Sequence, residues 1–139
     1  MAKKNILIVE DDPDIRELVR QTVAKEGWLA GEAVNGRLAL DKIKKIRPDL
    51  IVLDLMLPEL SGKELCRLLK SDNETSQIPI IMLTAKSSEI DRIVGFELGA
   101  DDYMTQPVSP QELILRIKAI FKRMEHAGLE DDALARLEL

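Results

Sequence analysis

Asn5-Ile6-Leu7-Ile8-Val9 runs without interruption into Glu10-Asp11-Asp12-Pro13. The first five residues form a short apolar run that ends in three carboxylates and a proline. Such a run, bounded by turn formers, fits a strand covered on both faces. Proline suits the first turn of a helix, where its missing N–H costs nothing. Asp12 before Pro13 fits the helix cap. Residues 14–25 then carry Ile15, Leu18, Val19, Thr22 and Val23 on one helical face. A buried strand that stops in acids and passes into an amphipathic helix is the opening of a βα unit.

The same plan repeats along the chain. Residues 28–33 make a weaker strand, Asn35-Gly36 a turn, and residues 37–46 a second helix broken at Arg47-Pro48. Residues 49–53 make a second fully apolar strand that ends at Asp54. Residues 58–62 are a loop and residues 63–69 a helix. Residues 78–83 are a strand near whose start a proline is tolerated. Residues 88–98 are a helix with Ser87 or Ser88 as its cap and Gly99 as its stop. Residues 102–105 are a short strand. Residues 109–123 are the fifth helix, entered by Ser109-Pro110-Gln111-Glu112, a capping box. Five βα units predict an α/β, doubly wound (βα)5 fold with a five-stranded parallel sheet. Ligands in such sheets bind beyond the carboxyl ends of the strands.

Composition narrows the function. The 139 residues suit one domain, and 45% hydrophobic with 32% charged residues is a globular balance. Cys66, the single cysteine, can form no internal disulfide and suggests a reduced, cytoplasmic setting. His126, the single histidine, sits in a polar stretch and makes no metal site alone. No signal peptide is visible, and no apolar run approaches a membrane span. A net charge of −5 argues against nucleic-acid contact by this domain itself.

Polar residues stand at the strand ends: Glu10, Asp11 and Asp12 after the first, Asp54 after the third, Thr84 after the fourth, Gln106 after the fifth. If the first and third strands are neighbours, Glu10, Asp11 and Asp54 converge. Clustered carboxylates repel and either keep a proton or hold a cation. An oxygen-only donor set suits Mg²⁺. Such a carboxylate, here Asp54, can carry phosphoryl as an acyl phosphate. The Met56 backbone carbonyl is placed to complete the coordination sphere. Thr84 is either a phosphoryl donor or an ordinary β-branched strand residue.

Four stretches in combination carry a resemblance: Ile6-Leu-Ile-Val-Glu10-Asp11-Asp12, Asp54-Leu-Met-Leu-Pro58 with Gly62, Leu83-Thr84-Ala85, and Gly99-Ala-Asp-Asp-Tyr103. Over residues 4–123 the chain resembles the response-regulator receiver family of two-component signalling. The resemblance implies a flavodoxin-like sheet of order 2-1-3-4-5, with Asp54 as phosphoacceptor. It implies Glu10 and Asp11 as the acid pair that binds Mg²⁺ with Asp54 and the Met56 carbonyl. Thr84 and Tyr103 would be the switch pair, and a sensor histidine kinase the phosphoryl donor. The pattern is most similar to the phosphate- and osmolarity-type winged-helix transcription factors. It implies a homodimer through the fourth helix, fifth strand and fifth helix. Arg92 with Glu112, Asp102 with Arg116, and Glu97 with Lys118 would pair around Ile93, Phe96 and Ile114.

One departure stands out. Gln106 occupies the family's lysine position, and Val108 stands where phenylalanine is usual. Glutamine donates a hydrogen bond but carries no charge. Weakened phosphorylation or weakened coupling is the expected consequence, and a phosphorylation-independent interaction module is the alternative function. An enzyme of the haloacid-dehalogenase type would need an acid where Met56 stands. At most, slow self-phosphorylation and self-dephosphorylation are expected. A flavin site would want a small polar phosphate loop where this chain has acids. Residues 1–124 are expected to be the receiver. Residues 125–139 are expected to be a polar linker, leading to a DNA-binding domain outside this sequence.

Overall fold

A computed structural model describes residues 3–84, 93, 97 and 99–137, with side chains to residue 129. Its elements are β1 (Asn5–Val9), α1 (Pro13–Lys25), β2 (Leu29–Ala33), α2 (Gly36–Ile46), β3 (Leu50–Asp54), α3 (Gly62–Ser71), β4 (Ile80–Thr84), β5 (Asp102–Thr105) and α4 (Pro110–Leu137). All strand pairs are parallel, in the order β2-β1-β3-β4-β5. This is the sheet order implied by the resemblance. The expected helix over residues 88–98, with Arg92 and Phe96, lies outside the described residues except for Ile93 and Glu97. Both of these are helical and exposed.

Strand alternation divides the core in two. Ile51 and Leu53 of β3 pack with Ala39 and Ile43 of α2 and Leu65 and Leu69 of α3. Leu50 and Val52 turn to the other face, with Val19 and Val23 of α1 and Leu113, Ile117 and Ile120 of α4. A strand covered on both sides has no polar face, which is why β1, β3 and β4 read as unbroken apolar runs.

Helix starts follow local chemistry. Asp12 accepts from the Asp14 and Ile15 amides at 2.8 and 3.2 Å. Asn35 accepts from the Leu38 amide at 2.9 Å, so the expected turn at Asn35-Gly36 is the cap and first residue of α2. Leu18 is exposed and is not part of the buried stripe of α1. β4 begins at Ile80, two residues later than expected. There the Lys70 ammonium takes the Ser76 and Ile78 carbonyls at 3.1 and 2.9 Å, before the ladder begins.

The largest difference concerns the C-terminal helix. The sequence suggested an end at Arg123, but α4 continues to Leu137, sixteen residues past Phe121, the last buried side chain among the described residues. The stretch after Glu125 is polar, but polarity does not break a helix. It contains no proline, and its one glycine costs only about 1 kcal/mol against alanine. Among the described residues no helix is long and apolar enough to cross a membrane.

Candidate functional site

Register brings the acids together. Val9 of β1 lies beside Leu53 of β3, so Glu10 and Asp54 leave neighbouring strands at the same level. Glu10, Asp11 and Asp54 offer carboxylate oxygens that all lie within 4.8 Å of one another. Glu10 is 1% exposed and Asp54 8%, while Asp11 faces solvent. The convergence expected from the strand ends is therefore observed.

The two buried carboxylates are held in place. Asp54 Oδ1 accepts from the Met56 amide at 3.0 Å, which ties the acceptor strand to its loop. Glu10 Oε2 accepts from the Asp12 amide at 3.3 Å, and Oε1 from the Gln106 side-chain amide at 3.5 Å. Burial pushes the Glu10 carboxyl up to about 9, helped by its hydrogen bond with Asp54 and by the charge of Asp54. A carboxyl that stays protonated at neutral pH beside a second acid reports unbalanced negative charge. The donor set is all oxygen and compact, which fits a small hard divalent cation. Glu10, Asp11 and Asp54 would supply carboxylates. Met56 itself is 69% exposed, with its side chain clear of the core.

Gly62 supports the acceptor. A Cβ at this position would meet the Asp54 carbonyl oxygen at 2.2 Å and the Leu55 Cα at 2.8 Å. The first turn of α3 therefore packs directly on the backbone of Asp54, an approach only glycine allows. The sequence placed Gly62 in the loop and in the resemblance, but its partner lies eight positions away. Arg16 was also missed. Its guanidinium donates to the carbonyls of Glu10 and Asp11, and nothing in a lone arginine on a helix advertises that.

Thr84 and Tyr103 occupy the β4–β5 side. Thr84 is buried, and its hydroxyl donates to the Met104 carbonyl over 3.4 Å, a long bond. Tyr103 lies beside Met82 and is 4% exposed, within the core layer under α2 and α3. Gln106 follows β5; its backbone N–H donates to the Thr84 carbonyl at 2.8 Å, and the Gln106–Pro107 peptide is cis.

On the expected dimer face, Arg116 meets Asp102 at 2.7 Å and Glu112 at 2.9 Å within its own chain. Lys118 meets Glu26, the C-cap of α1, at 3.6 Å. Ile114 is half-buried and Ile93 exposed.

A doubly wound sheet with a carboxylate cluster at its carboxyl edge defines a small class of phosphoryl-handling folds, and comparison places this chain within it. Residues 6–118 match the model of the response regulator receiver domain, and the chain belongs to that family. It is 50% identical over 123 residues to the phosphate regulon transcriptional regulatory protein PhoB of Pseudomonas aeruginosa, covering 88% of this chain and 54% of that protein. It is 47% identical over 125 residues to the alkaline phosphatase synthesis transcriptional regulatory protein PhoP of Bacillus subtilis, covering 90% of this chain and 51% of that protein. The chain therefore spans about half the length of these relatives. Among solved structures it is similar to a response regulator receiver domain protein (CheY-like) of Methanospirillum hungatei. The TM-score is 0.85 at 30% identity, covering 91% of this chain and all of that one. Receiver domains are phosphoacceptor switches of two-component systems. They generally bind Mg²⁺ at an acidic pocket, and they partner with sensor histidine kinases.

Proposed function

We propose that this chain accepts phosphoryl on Asp54 from a sensor histidine kinase, with Mg²⁺ held by Glu10, Asp11, Asp54 and the Met56 carbonyl. The observation that carries this is the meeting of the three carboxylates within 4.8 Å at the carboxyl edge of the sheet. An oxygen of Asp54 attacks phosphorus, and the P–N bond to the donor imidazole breaks. The electron pair of that bond returns to the leaving nitrogen, and an acyl phosphate forms. The cation supplies charge compensation for the carboxylates and the transferring group when bound. The Met56 amide keeps Asp54 oriented through Oδ1. The Thr84 hydroxyl exchanges its long bond to Met104 for a phosphoryl oxygen. Gln106 offers an amide donor in place of a lysine charge, so transfer is slower than with lysine.

The switch is the movement of Thr84 toward the phosphoryl group, with Tyr103 then turning inward into the vacated space and resetting the output face. The output is a change of the face made by β5, α4 and the 88–98 segment, which forms a homodimer. Arg92, Ile93, Phe96, Glu97, Asp102, Glu112, Ile114, Arg116 and Lys118 would contribute to that dimer. The receiver ends near residue 124, and the regulated output is transcription, as in the relatives named above. Family membership and the intact acid cluster favour this reading over a phosphorylation-independent module.

The test is titration with BeF₃⁻ and Mg²⁺ while oligomeric state is followed by light scattering. Dimer formation that requires both ions and is lost in Asp54→Asn supports the assignment. Dimerisation of Asp54→Asn equal to that of the parent protein refutes it.

A further inference from the structure

We infer that Arg16 is a positioning residue for the acid pair, acting through the backbone of the loop that carries Glu10 and Asp11. The inference rests on the metal assignment above. Two residues separate the end of β1 from the α1 cap at Asp12, and both are candidate ligands. A side chain is no better placed than its backbone, so whatever fixes this loop fixes the ligands.

One guanidinium nitrogen, Arg16 Nη1, donates to the Glu10 carbonyl at 3.0 Å and to the Asp11 carbonyl at 3.3 Å. A second, Nε, faces Glu32 Oε1 at 3.5 Å. Glu32 is itself anchored in the backbone: on β2 it pairs in register with Ile8 of β1, and its carbonyl accepts from the Lys42 ammonium. The adjacent Ala33 carbonyl accepts from the Glu10 amide at 3.1 Å. The loop is therefore gripped from the edge strand on both its N–H and its carbonyl side, and Arg16 provides the carbonyl grip. Arginine suits the task because its donors are splayed in a rigid plane.

Charge alone argues the opposite way, since a cation close to a metal site weakens metal binding. The Arg16 charge is offset by Glu32, however, whereas the two carbonyl bonds have no substitute. Geometry should therefore win over charge.

The experiment is Mn²⁺ titration of the full chain by electron paramagnetic resonance, with melting measured separately in chelator. Arg16→Ala should weaken Mn²⁺ binding about tenfold, the usual scale for losing an outer hydrogen-bond partner of a metal ligand. Arg16→Lys, which keeps the charge and a donor, should fall between Arg16→Ala and the parent protein. Glu32→Gln should weaken binding about threefold, as befits a partly exposed pair. Parent-like affinity in Arg16→Ala overturns the inference, as does a melting change in chelator with no change in affinity. If Arg16→Ala does not fold, parent-like affinity in Glu32→Gln overturns it instead. A parent protein that binds no Mn²⁺ refutes the metal assignment and this inference together, whereas the other negative outcomes leave the metal assignment standing.

Discussion

Glu10 is the residue whose chemistry is most displaced. Its carboxyl titrates near 9 in the folded chain against 4.5 ordinarily, chiefly through burial and then through Asp54. Between those values the folded state keeps a proton that the unfolded state has lost. Stability therefore falls as pH rises from about 4.5 to about 9; below that window the contribution of the protonated group is fully present and independent of pH. In chelator, the melting temperature of the parent protein should drop across this window more steeply than that of Glu10→Gln, which has no proton to lose. Millimolar Mg²⁺ should offset much of the drop by offering a positive partner. Parallel pH profiles for the two proteins would show that the Glu10 carboxyl is not raised. Gly62 gives a second prediction of this kind. Gly62→Ala places a methyl 2.2 Å from the Asp54 carbonyl oxygen, so backbone must move. The expected cost is about 1–3 kcal/mol in urea unfolding, with weaker BeF₃⁻ binding because Asp54 moves. Unchanged values in both assays would mean that α3 relaxes freely away from the acceptor.

Elements were legible in proportion to how much of their environment is local. β1, β3 and β4 could be read directly, because a strand buried on both faces needs only apolar residues. Their acids stood out for the same reason: Glu10 and Asp54 directly follow the apolar stretches 6–9 and 50–53. Asp12 could be read as a cap because its partners are two and three residues away. Arg16 and Gly62 could not be read, because what they touch is set by sheet order and by the approach of α3. The end of α4 was misread because polarity was taken for a break. That segment yields a prediction. Among the described side chains of α4 the last buried one is Phe121, and residues 122–129 are exposed. Removing residues 125–139 should then cost less than about 1 kcal/mol, since stability resides in the packed part of the helix. Far-ultraviolet circular dichroism should lose the signal of residues 125–137, all helical here. A truncated chain that melts many degrees lower would show that the extension packs on the domain.

In the whole molecule the acid cluster and the β5–α4 face are joined by β4 and β5. Thr84 stands next to Thr105 in register, and Asp102 begins the same strand. In the single chain Arg116 is already occupied by Asp102 and Glu112. A dimer that pairs Asp102 with Arg116 across its twofold axis must therefore exchange one partner for an equivalent one. Such an exchange is nearly neutral, because partly exposed pairs are worth about 0–1 kcal/mol each. The dimer must then draw its affinity from the apolar centre, and its specificity from the charges around it. Arg116→Ala should accordingly change the urea unfolding of the unactivated protein by less than about 1 kcal/mol. In the presence of BeF₃⁻ and Mg²⁺ the same variant should raise the dimer dissociation constant roughly tenfold, because Asp102 would lie within the interface without a cation. That penalty should shrink as salt rises from 50 to 500 mM, while Ile114→Ala should weaken the dimer at every salt concentration. Sedimentation equilibrium at the two salt concentrations separates the two contributions. Equal dimerisation by Arg116→Ala and the parent protein at low salt would place the output surface on some other part of the domain.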